Sequence, residues 1–225
     1  MNKQLCRSAF IATLPVLSGY VVLGTGFGIL LQSKGFGLPW AVAMSALIYA
    51  GSMQYLAVDL LAGGAGLIAA ALTTLMVNAR HLFYGVSMIG KYKDTGWRKP
   101  YLIFGLTDET YSLNCAGEQS KDWYFLVTLF NQIYWVAGSA LGAVLGTVLP
   151  FSTEGIDFSL TALFITVFVE QWRGTKDHIP ALIGVGASGG CLLAFGADNF
   201  LIPAMVTITA ALALYGKTEG GKRHG

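Results

Sequence analysis

The chain has 225 residues, of which 54% are hydrophobic and only 12% are charged, and its formal net charge at pH 7 is +2. The charged share is about half of the ~25% that is typical of soluble domains, so too few polar residues remain to cover a soluble core. These numbers exclude an ordinary soluble enzyme or binding domain and indicate a chain whose solvent is the lipid bilayer.

The first predicted element is a membrane span over residues 9–31, preceded by Lys3 and Arg7. About 20 apolar residues cross the hydrocarbon core of a bilayer, whereas the apolar region of a signal peptide has only ~7–15 residues. We therefore expect this run to be retained as the first span.

Further apolar segments follow, separated by polar or glycine-rich connections. They cover residues 38–61, 64–89 (in two short pieces), 101–117, 123–149, 158–172, 179–197 and 200–215. Together they predict an all-α fold, a polytopic transmembrane helical bundle with seven or eight apolar segments. Residues 1–216 would form a single transport domain, and residues 217–225 are predicted to be a disordered tail.

Basic residues lie beside these segments, which is a topology signal rather than a nucleic-acid patch. If the N-terminus and the basic loop 91–99 both face the cytoplasm, an even number of crossings must separate them, yet three apolar stretches lie between. We therefore expect a re-entrant stretch, and 64–89 is the best candidate because its two pieces are short and flank the polar junction Asn78-Ala79-Arg80-His81. One long, tilted helix is the alternative.

Glycine spacing supports two further predictions. The pattern Gly138-x3-Gly142-x3-Gly146 allows another helix to approach closely. A shift of 118 residues places Gly24-x3-Gly28 on Gly142-x3-Gly146 and Ala79-Arg80-His81 on Ala197-Asp198-Asn199. This predicts repeats over about 9–90 and 123–215, linked by 100–117, and an odd number of crossings before the second copy would make it an inverted repeat.

Two adjacent carboxylates, Asp108 and Glu109, are the sharpest chemical signal. A carboxylate at the centre of a membrane helix costs ~2.5–3.5 kcal/mol on insertion scales, so the pair needs a polar cavity, a cation or a proton. Neighbouring helix positions point about 100° apart, so one carboxylate can face a cavity while the other pairs elsewhere. The alternative is that this segment is interfacial and both groups are hydrated.

Arg80 and His81 come next, because arginine at membrane depth needs a carboxylate and Asp108 or Glu109 is the natural candidate. A helix break at Asn78–His81 would add backbone N–H groups that suit a substrate carboxylate, and histidine can relay protons. Alternatively, Arg80 extends to the interface as a topology determinant. Gln54 is a mid-span amide that either lines a pathway or forms one interhelical hydrogen bond.

An enzyme is not expected. Gly186-Ala187-Ser188-Gly189-Gly190 fits the G-x-S-x-G pattern and resembles the rhomboid intramembrane proteases, but such chemistry needs a base and the only later histidine is His224 in the tail. Three isolated cysteines and no Cys/His spacing predict no metal site, and nothing in the sequence indicates a cofactor.

Five motifs, in order and spacing, resemble the AzlC family over roughly residues 8–170. They are Ser45-x3-Tyr49-Ala50-Gly51-x2-Gln54, Asn78-x-Arg80-His81-x2-Tyr84-Gly85, Leu106-Thr107-Asp108-Glu109-Thr110, Trp135 with Gly142-x3-Gly146, and Gly155-x-Asp157-Phe158-x4-Leu163-Phe164. The family comprises large subunits of bacterial branched-chain amino acid exporters. The resemblance implies a multi-pass protein of the cytoplasmic (inner) membrane, a small AzlD-type membrane subunit as partner, and export of L-valine, L-leucine and L-isoleucine, with L-methionine as a further candidate.

The residues and the resemblance together predict a secondary transporter for small hydrophobic amino acids. Arg80 and nearby backbone amides would hold the substrate carboxylate, and Asp108 or Glu109 would hold its ammonium group or a coupling proton, which makes proton antiport a hypothesis. The alternative is a non-transporting scaffold or assembly subunit whose polar residues serve helix contacts.

Overall fold

The computed structural model describes residues 3–78, 80–115, 119–148, 157–175, 177–196 and 200–222. The chain divides into two compact units, residues 1–161 and 162–225. The described residues form eleven α-helices and one 3-10 turn and contain no strand, which confirms the all-α prediction.

Unit 1 contains the first eight helices and the start of the ninth. The helices are α1 Lys3–Ser33, α2 Leu38–Leu47, α3 Gly51–Ala62, α4 Leu67–Val77, α5 Arg80–Met88, α6 Lys99–Phe104, α7 Asp108–Cys115, α8 Lys121–Val148 and α9 Asp157–Gly174, with the 3-10 turn at Gly96–Arg98. Among the described residues, only α1 and α8 are long and apolar enough to cross a membrane alone, and the bent pair α4–α5 makes up to three spans. The predicted number of seven or eight is therefore not confirmed.

Helices α1 and α8 pack along a seam of glycines. A side chain at Gly28 would overlap the backbone of Ser139, and one at Gly142 would overlap the backbone of Thr25. A Cβ atom at Gly24 would lie 3.0 Å from the backbone nitrogen of Ser139. The glycine spacing on α8 thus serves the close helix contact that it predicted, and α1 is the partner.

The two seam helices run in the same direction. Phe10 contacts Phe130 near their starts, with ring centroids 5.9 Å apart, and Gly146 faces Gln32 near their ends. The 118-residue shift equates α1 with α8, and an inverted repeat in that register requires opposite directions. The inverted repeat is therefore not confirmed.

Helices α2 and α3 form a hairpin that enters unit 1 beside the C-terminal end of α1 and returns there. A turn in which the Phe36 N–H donates to the Leu31 carbonyl separates α1 from α2. After α2 the chain turns again at Tyr49, whose φ of 45° is left-handed. Helix α3 then returns along α1 until Asp59 lies 4.0 Å from Lys34. Hydropathy alone predicted one span over 38–61, but a helix cannot continue through the turn at Tyr49.

The bent pair α4–α5 connects the two ends of unit 1. Helix α4 follows α3 and ends at Val77, and α5 begins at Arg80 with a bend of 51° between them. The end of α5 lies at Met88, which is buried with Ala9 near the start of α1. The expected break between α4 and α5 is present, and residues 38–62 form a further stretch that turns back, which the sequence did not predict.

Helices α6 and α7 form a second hairpin, which enters from the opposite end. Helix α6 runs along α8 until Gly105, whose Cβ position is filled by the Thr128 side chain. Helix α7 then returns, and Asn114 Nδ2 near its end donates to the Tyr92 hydroxyl at 2.7 Å. The segment 101–117, predicted as one short span, is thus two helices with a break at residues 105–107.

The end of unit 1 that carries the start of α1 and the loop 91–98 is here called the basic end. Lys91 Nζ donates to the Asn114 carbonyl at 2.9 Å, and Arg98 forms an ion pair with Asp122. Ala9 and Tyr92 share one apolar cluster there. The start of α1 and the basic loop lie at the same end of unit 1, which is the arrangement that the crossing count assumed.

Unit 2 contains most of α9 together with α10 Ile179–Phe195 and α11 Leu201–Lys222. The His178 ring stacks on Trp172 with centroids 4.1 Å apart, and the Tyr215 hydroxyl donates to Asp177 at 2.9 Å. Helix α11 continues past residue 216, where the sequence predicted the membrane part to end. Residues 197–199, the predicted counterpart of Ala79-Arg80-His81, lie outside the described residues.

Candidate functional site

The N-terminal ends of three broken helices meet in the middle of unit 1, where α3, α5 and α7 begin. Arg80 Nη1 lies 2.7 Å from Asp108 Oδ2, and Arg80 Nη2 donates to Ser52 Oγ at 3.3 Å. The Tyr84 hydroxyl donates to the second carboxylate oxygen, Asp108 Oδ1, at 2.7 Å. We call the group Ser52, Arg80, Tyr84 and Asp108 the junction site.

The sequence around Asp108 explains why a helix begins there. The Thr107 hydroxyl accepts a hydrogen bond from the Thr110 N–H at 3.3 Å, and the Thr107 carbonyl accepts from the Tyr111 N–H at 2.8 Å. Thr107 is therefore the N-cap of α7, which places Asp108 and Glu109 in its first turn. Carboxylates are stabilised at that end of a helix by the free N–H groups and the helix dipole.

The two carboxylates face different surroundings, as their 100° offset predicted. Glu109 Oε2 accepts a hydrogen bond from the Tyr20 hydroxyl at 2.6 Å, and that hydroxyl is also 2.7 Å from Thr107 Oγ1. Asn131 Nδ2 on α8 donates to Thr110 Oγ1 at 3.0 Å. Tyr20, Thr107, Glu109, Thr110 and Asn131 are here called the Glu109 cluster.

Asp108 and Glu109 differ in whether a positively charged side chain lies beside them. Asp108 is paired with Arg80, and their side chains are 28% and 31% exposed, so the pair is accessible from one side. Among the described residues, Glu109 has no cationic partner within ion-pair distance. Arg80 also retains a buried Nε–H without a hydrogen-bond partner in the described part of the chain. The junction site can thus still donate to an acceptor.

Two predicted residues border the junction site without bonding to its carboxylate. Asn78 ends α4, and its carbonyl accepts from the His81 N–H at 2.9 Å. The His81 ring places Nδ1 3.2 Å from the same carbonyl, and it meets the Tyr84 ring edge-on at 5.7 Å. These contacts hold the start of α5, and with it Arg80, in position.

Gln54 lies in a separate hydrogen-bond network between α2, α3 and α8. It is fully buried (0% exposed), its Oε1 accepts from Trp135 Nε1 at 2.8 Å, and its Nε2 donates to Ser45 Oγ at 3.1 Å. Ser45 continues the network by donating to Ser139 Oγ at 2.8 Å. The structure brings Asn78, Arg80, His81 and Asp108 together, places Glu109 on the neighbouring cluster, and leaves Gln54 in its own network, two positions after Ser52 on α3.

Sequence reasoning missed Gln132, which connects the two hairpins. Its Nε2 donates to the Ala46 carbonyl at 3.1 Å, and its Oε1 accepts from the Tyr101 hydroxyl at 2.7 Å. The hairpin tips also touch directly, since the rings of Tyr49 and Phe104 are 6.1 Å apart. A glutamine in the middle of the apolar run 123–149 was the signal that could have identified it.

Tyr20 and Tyr84 were also missed as site residues. Tyr84 follows Arg80 by four positions and so lies on the same helix face, a spacing visible in the sequence. No comparable signal marks Tyr20, because its partner Glu109 is 89 positions away. Within the described ranges no group of three or more His, Cys, Asp and Glu side chains could hold a metal ion.

Comparison with known proteins places the site inside a recognised family segment. The family model described as AzlC protein matches residues 15–149, a segment that contains the junction site and the Glu109 cluster. The branched-chain amino acid transport protein AzlC of Bacillus subtilis (strain 168) is 47% identical over 94% of this chain and 85% of its own length.

Two more distant relatives are named only as membrane proteins. An uncharacterized membrane protein of Haemophilus influenzae is 40% identical over 94% of this chain and 89% of its own length. The inner membrane protein YgaZ of Escherichia coli (strain K12) is 29% identical over 80% of this chain and 79% of its own length. No solved structure matches the chain.

Proposed function

Because the chain belongs to the AzlC family, we propose that it is a multi-pass secondary transporter of the cytoplasmic membrane that exports branched-chain amino acids. Valine, leucine and isoleucine are the proposed substrates, with methionine as a further candidate. The name of the Bacillus subtilis relative supports the substrate class. The direction of transport and the coupling to protons are inferred from the family resemblance and from the two carboxylates.

The observation that carries the proposal is the Arg80–Asp108 pair at the meeting point of three broken helices. An amino acid carries one carboxylate and one ammonium group, which are the counterparts of these two side chains. The substrate carboxylate would bind Arg80, whose planar guanidinium suits a carboxylate, while its ammonium group binds Asp108. The internal ion pair is thereby exchanged for two external ones without a change in net charge.

The surrounding backbone supports a small, zwitterionic ligand. Broken helices expose backbone N–H groups at the starts of α3 and α5, and such ends bind substrate carboxylates in transporters with discontinuous helices. Gly51 at the start of α3 lets the Trp135 indole pack against the helix end, which gives the site an apolar wall for an aliphatic side chain. Non-helical backbone at membrane depth is tolerated where it lines such a cavity.

The two hairpins suggest how access alternates. The hairpin α2–α3 enters from the end opposite the basic end, α6–α7 enters from the basic end, and Gln132 bonds to both near their tips. Each hairpin would open one side of the junction site while the other stays closed. The substrate would thus reach the site from one side of the membrane at a time.

A small AzlD-type subunit is the proposed partner. Helix α4 has no buried residue, and its apolar side chains Leu67, Ile68 and Leu75 are 89%, 79% and 63% exposed. In a bilayer this face contacts lipid or another membrane subunit, and α4 leads directly into the junction site. A partner bound there would hold the bend between α4 and α5.

The test is leucine exchange by the purified protein, reconstituted with the small subunit in liposomes. Arg80→Gln and Asp108→Asn should each lower the rate by roughly 100-fold, because one charge-assisted hydrogen bond contributes ~1.5–3 kcal/mol and an unpaired partner charge remains. Arg98→Gln and Asp122→Asn are matched controls, since they remove an Arg–Asp pair at the basic end.

The controls should exchange leucine at close to the wild-type rate per folded molecule. An equal loss of leucine exchange in the variants of Arg80–Asp108 and of Arg98–Asp122 would show that these ion pairs act only by stabilising the fold. No leucine exchange by the wild-type complex, and no leucine-dependent rise in its melting temperature, would instead favour the non-transporting scaffold.

A further inference from the structure

The two carboxylates at the start of α7 differ in one respect that the proposed function leaves open. Asp108 has a cation beside it, whereas Glu109 has none among the described residues. Glu109 is half-buried. An ionised carboxylate that is partly removed from water without a counter-charge is destabilised, so a group in this position tends to bind a proton or a cation. The surroundings of Glu109 decide whether it binds a proton or a metal cation.

The Glu109 cluster offers acceptor oxygens that the protein itself does not satisfy. Asn131 is fully buried (0% exposed), and its Oδ1 has no hydrogen-bond partner in the described part of the chain. The buried hydroxyl of Tyr49 lies beside Tyr20 and Thr110 and extends the same group of polar oxygens. Buried polar atoms without a protein partner are rare, and each of them can accept a hydrogen bond from a further group.

The spacing of the oxygens favours a proton over a metal ion. Glu109 Oε2, the Tyr20 hydroxyl and Thr107 Oγ1 follow one another at 2.6 and 2.7 Å, and Thr107 Oγ1 is 3.1 Å from Thr110 Oγ1. These are distances between oxygens that share a hydrogen. Oxygens that surround a sodium ion repel one another and stand further apart.

We propose that Glu109 carries the coupling proton of the transport cycle, whereas Asp108 binds the substrate. This inference rests on the proposed transport function and divides the two carboxylates between its two tasks. Glu109 binds a proton from the outer side when the substrate has left, and it releases that proton to water on the cytoplasmic side before the next substrate binds. Tyr20 and Thr107 are positioning residues that hold the carboxyl group in both states.

The charges that face Glu109 come from several elements. Asp108 is its neighbour on α7, Tyr84 reaches it from α5, Tyr49 from the turn after α2, and Tyr20 from α1. Helix α8 contributes the neutral amide of Asn131. The guanidinium of Arg80 is paired with Asp108, so substrate binding to that pair changes the field at Glu109 and can couple the two sites.

The experiment separates exchange from net, gradient-driven transport in liposomes that contain the full chain with its small subunit. Exchange uses equal leucine and equal pH on both sides and needs no net proton movement. Net transport uses an acidic lumen and external radiolabelled leucine, so that protons leaving the vesicle drive leucine inward. A sodium gradient at equal pH is the third arm.

For the wild type we expect exchange and accumulation driven by the pH gradient. Glu109→Gln should keep exchange within about threefold but lose accumulation, since it removes the proton without touching the substrate pair. Asp108→Asn should lose both. Tyr20→Phe should keep accumulation but move the pH profile of net transport toward alkaline pH, because the ionised carboxylate loses a donor.

Accumulation by Glu109→Gln that equals that of the wild type would overturn the inference and leave the transport function intact. Wild-type accumulation driven by sodium at equal pH, and not by the proton gradient, would also overturn it. If the wild type shows no leucine exchange at all, the proposed transport function itself fails. That result is distinguishable from the two above, because in both of them the wild type still transports leucine.

Discussion

The long helices α1 and α8 and the two hairpins α2–α3 and α6–α7 are built on opposite principles. The long helices satisfy their backbone hydrogen bonds internally and pack backbone to backbone through Gly28 and Gly142. The hairpins leave helix ends in the middle of the molecule and rely on side chains such as Thr107 and Gln132 to satisfy them. The comparison indicates that α1 and α8 form the frame, while the hairpins and the α4–α5 bend supply the residues of the junction site.

The largest effect is expected in the frame. Gly142→Leu places a side chain on the backbone of Thr25, and overpacking of this kind costs ~1–3 kcal/mol or more. The yield of monodisperse protein in detergent should fall to near zero. Gly19→Leu is the control on the same pair of helices, because a Cβ at Gly19 has nothing within 4 Å. Similar yields for both variants would contradict the role of the seam.

A large functional effect is expected where the hairpins are joined. Gln132→Leu removes the bonds to Ala46 and Tyr101, each worth ~0.5–1.5 kcal/mol, so leucine exchange should fall roughly tenfold or more. Leucine binding, followed by thermal shift, should change less because Arg80 and Asp108 are untouched. Gln119→Leu, at an exposed position near the basic end, should exchange normally. Unchanged exchange in Gln132→Leu would show that the tips move independently of α8.

An intermediate effect on stability is expected at Gln54. Gln54→Leu leaves the buried indole N–H of Trp135 without its acceptor, and an unsatisfied buried group costs ~1–3 kcal/mol. Ser45 loses one donor but keeps its bond to Ser139. The melting temperature should fall, while the KM for leucine in exchange stays close to that of the wild type. A rise in KM at unchanged melting temperature would instead assign Gln54 to the substrate pathway.

The smallest effect is expected at Tyr84, which donates one hydrogen bond to Asp108. Tyr84→Phe should raise the KM for leucine about three- to tenfold, since a hydrogen bond to a charged group contributes up to a few kcal/mol and the ion pair with Arg80 remains. Tyr111→Phe is the matched control, because Tyr111 stacks on Tyr84 without touching the carboxylate. Equal changes in the two variants would assign the effect to ring packing.

The sequence predicted the frame and part of the site. Long apolar runs predicted α1 and α8, glycine spacing predicted that another helix packs closely on α8, and the cost of burying charge predicted that Arg80 pairs with Asp108 or Glu109. The hairpins could not be predicted, because hydropathy reports the length of an apolar segment and does not detect a backbone turn within it, such as the one at Tyr49. Tyr20 was missed for another reason, since its partner Glu109 is distant in sequence and one sequence does not show which distant residues meet. Gln132 stands out as a glutamine in an apolar run, but its distant partners could not be predicted either.

The central claim is that substrate binds between the three helix breaks, and Ser52 reports on it most directly because it contacts Arg80. In a background without Cys6, Cys115 and Cys191, Ser52→Cys and Ser87→Cys can be labelled with a small maleimide. Ser87 lies on the same helix as Arg80 but is exposed and bonds to Tyr111. The account predicts that saturating leucine slows labelling at position 52, that lysine does not, and that position 87 is unaffected. Equal labelling at position 52 with and without leucine would contradict it.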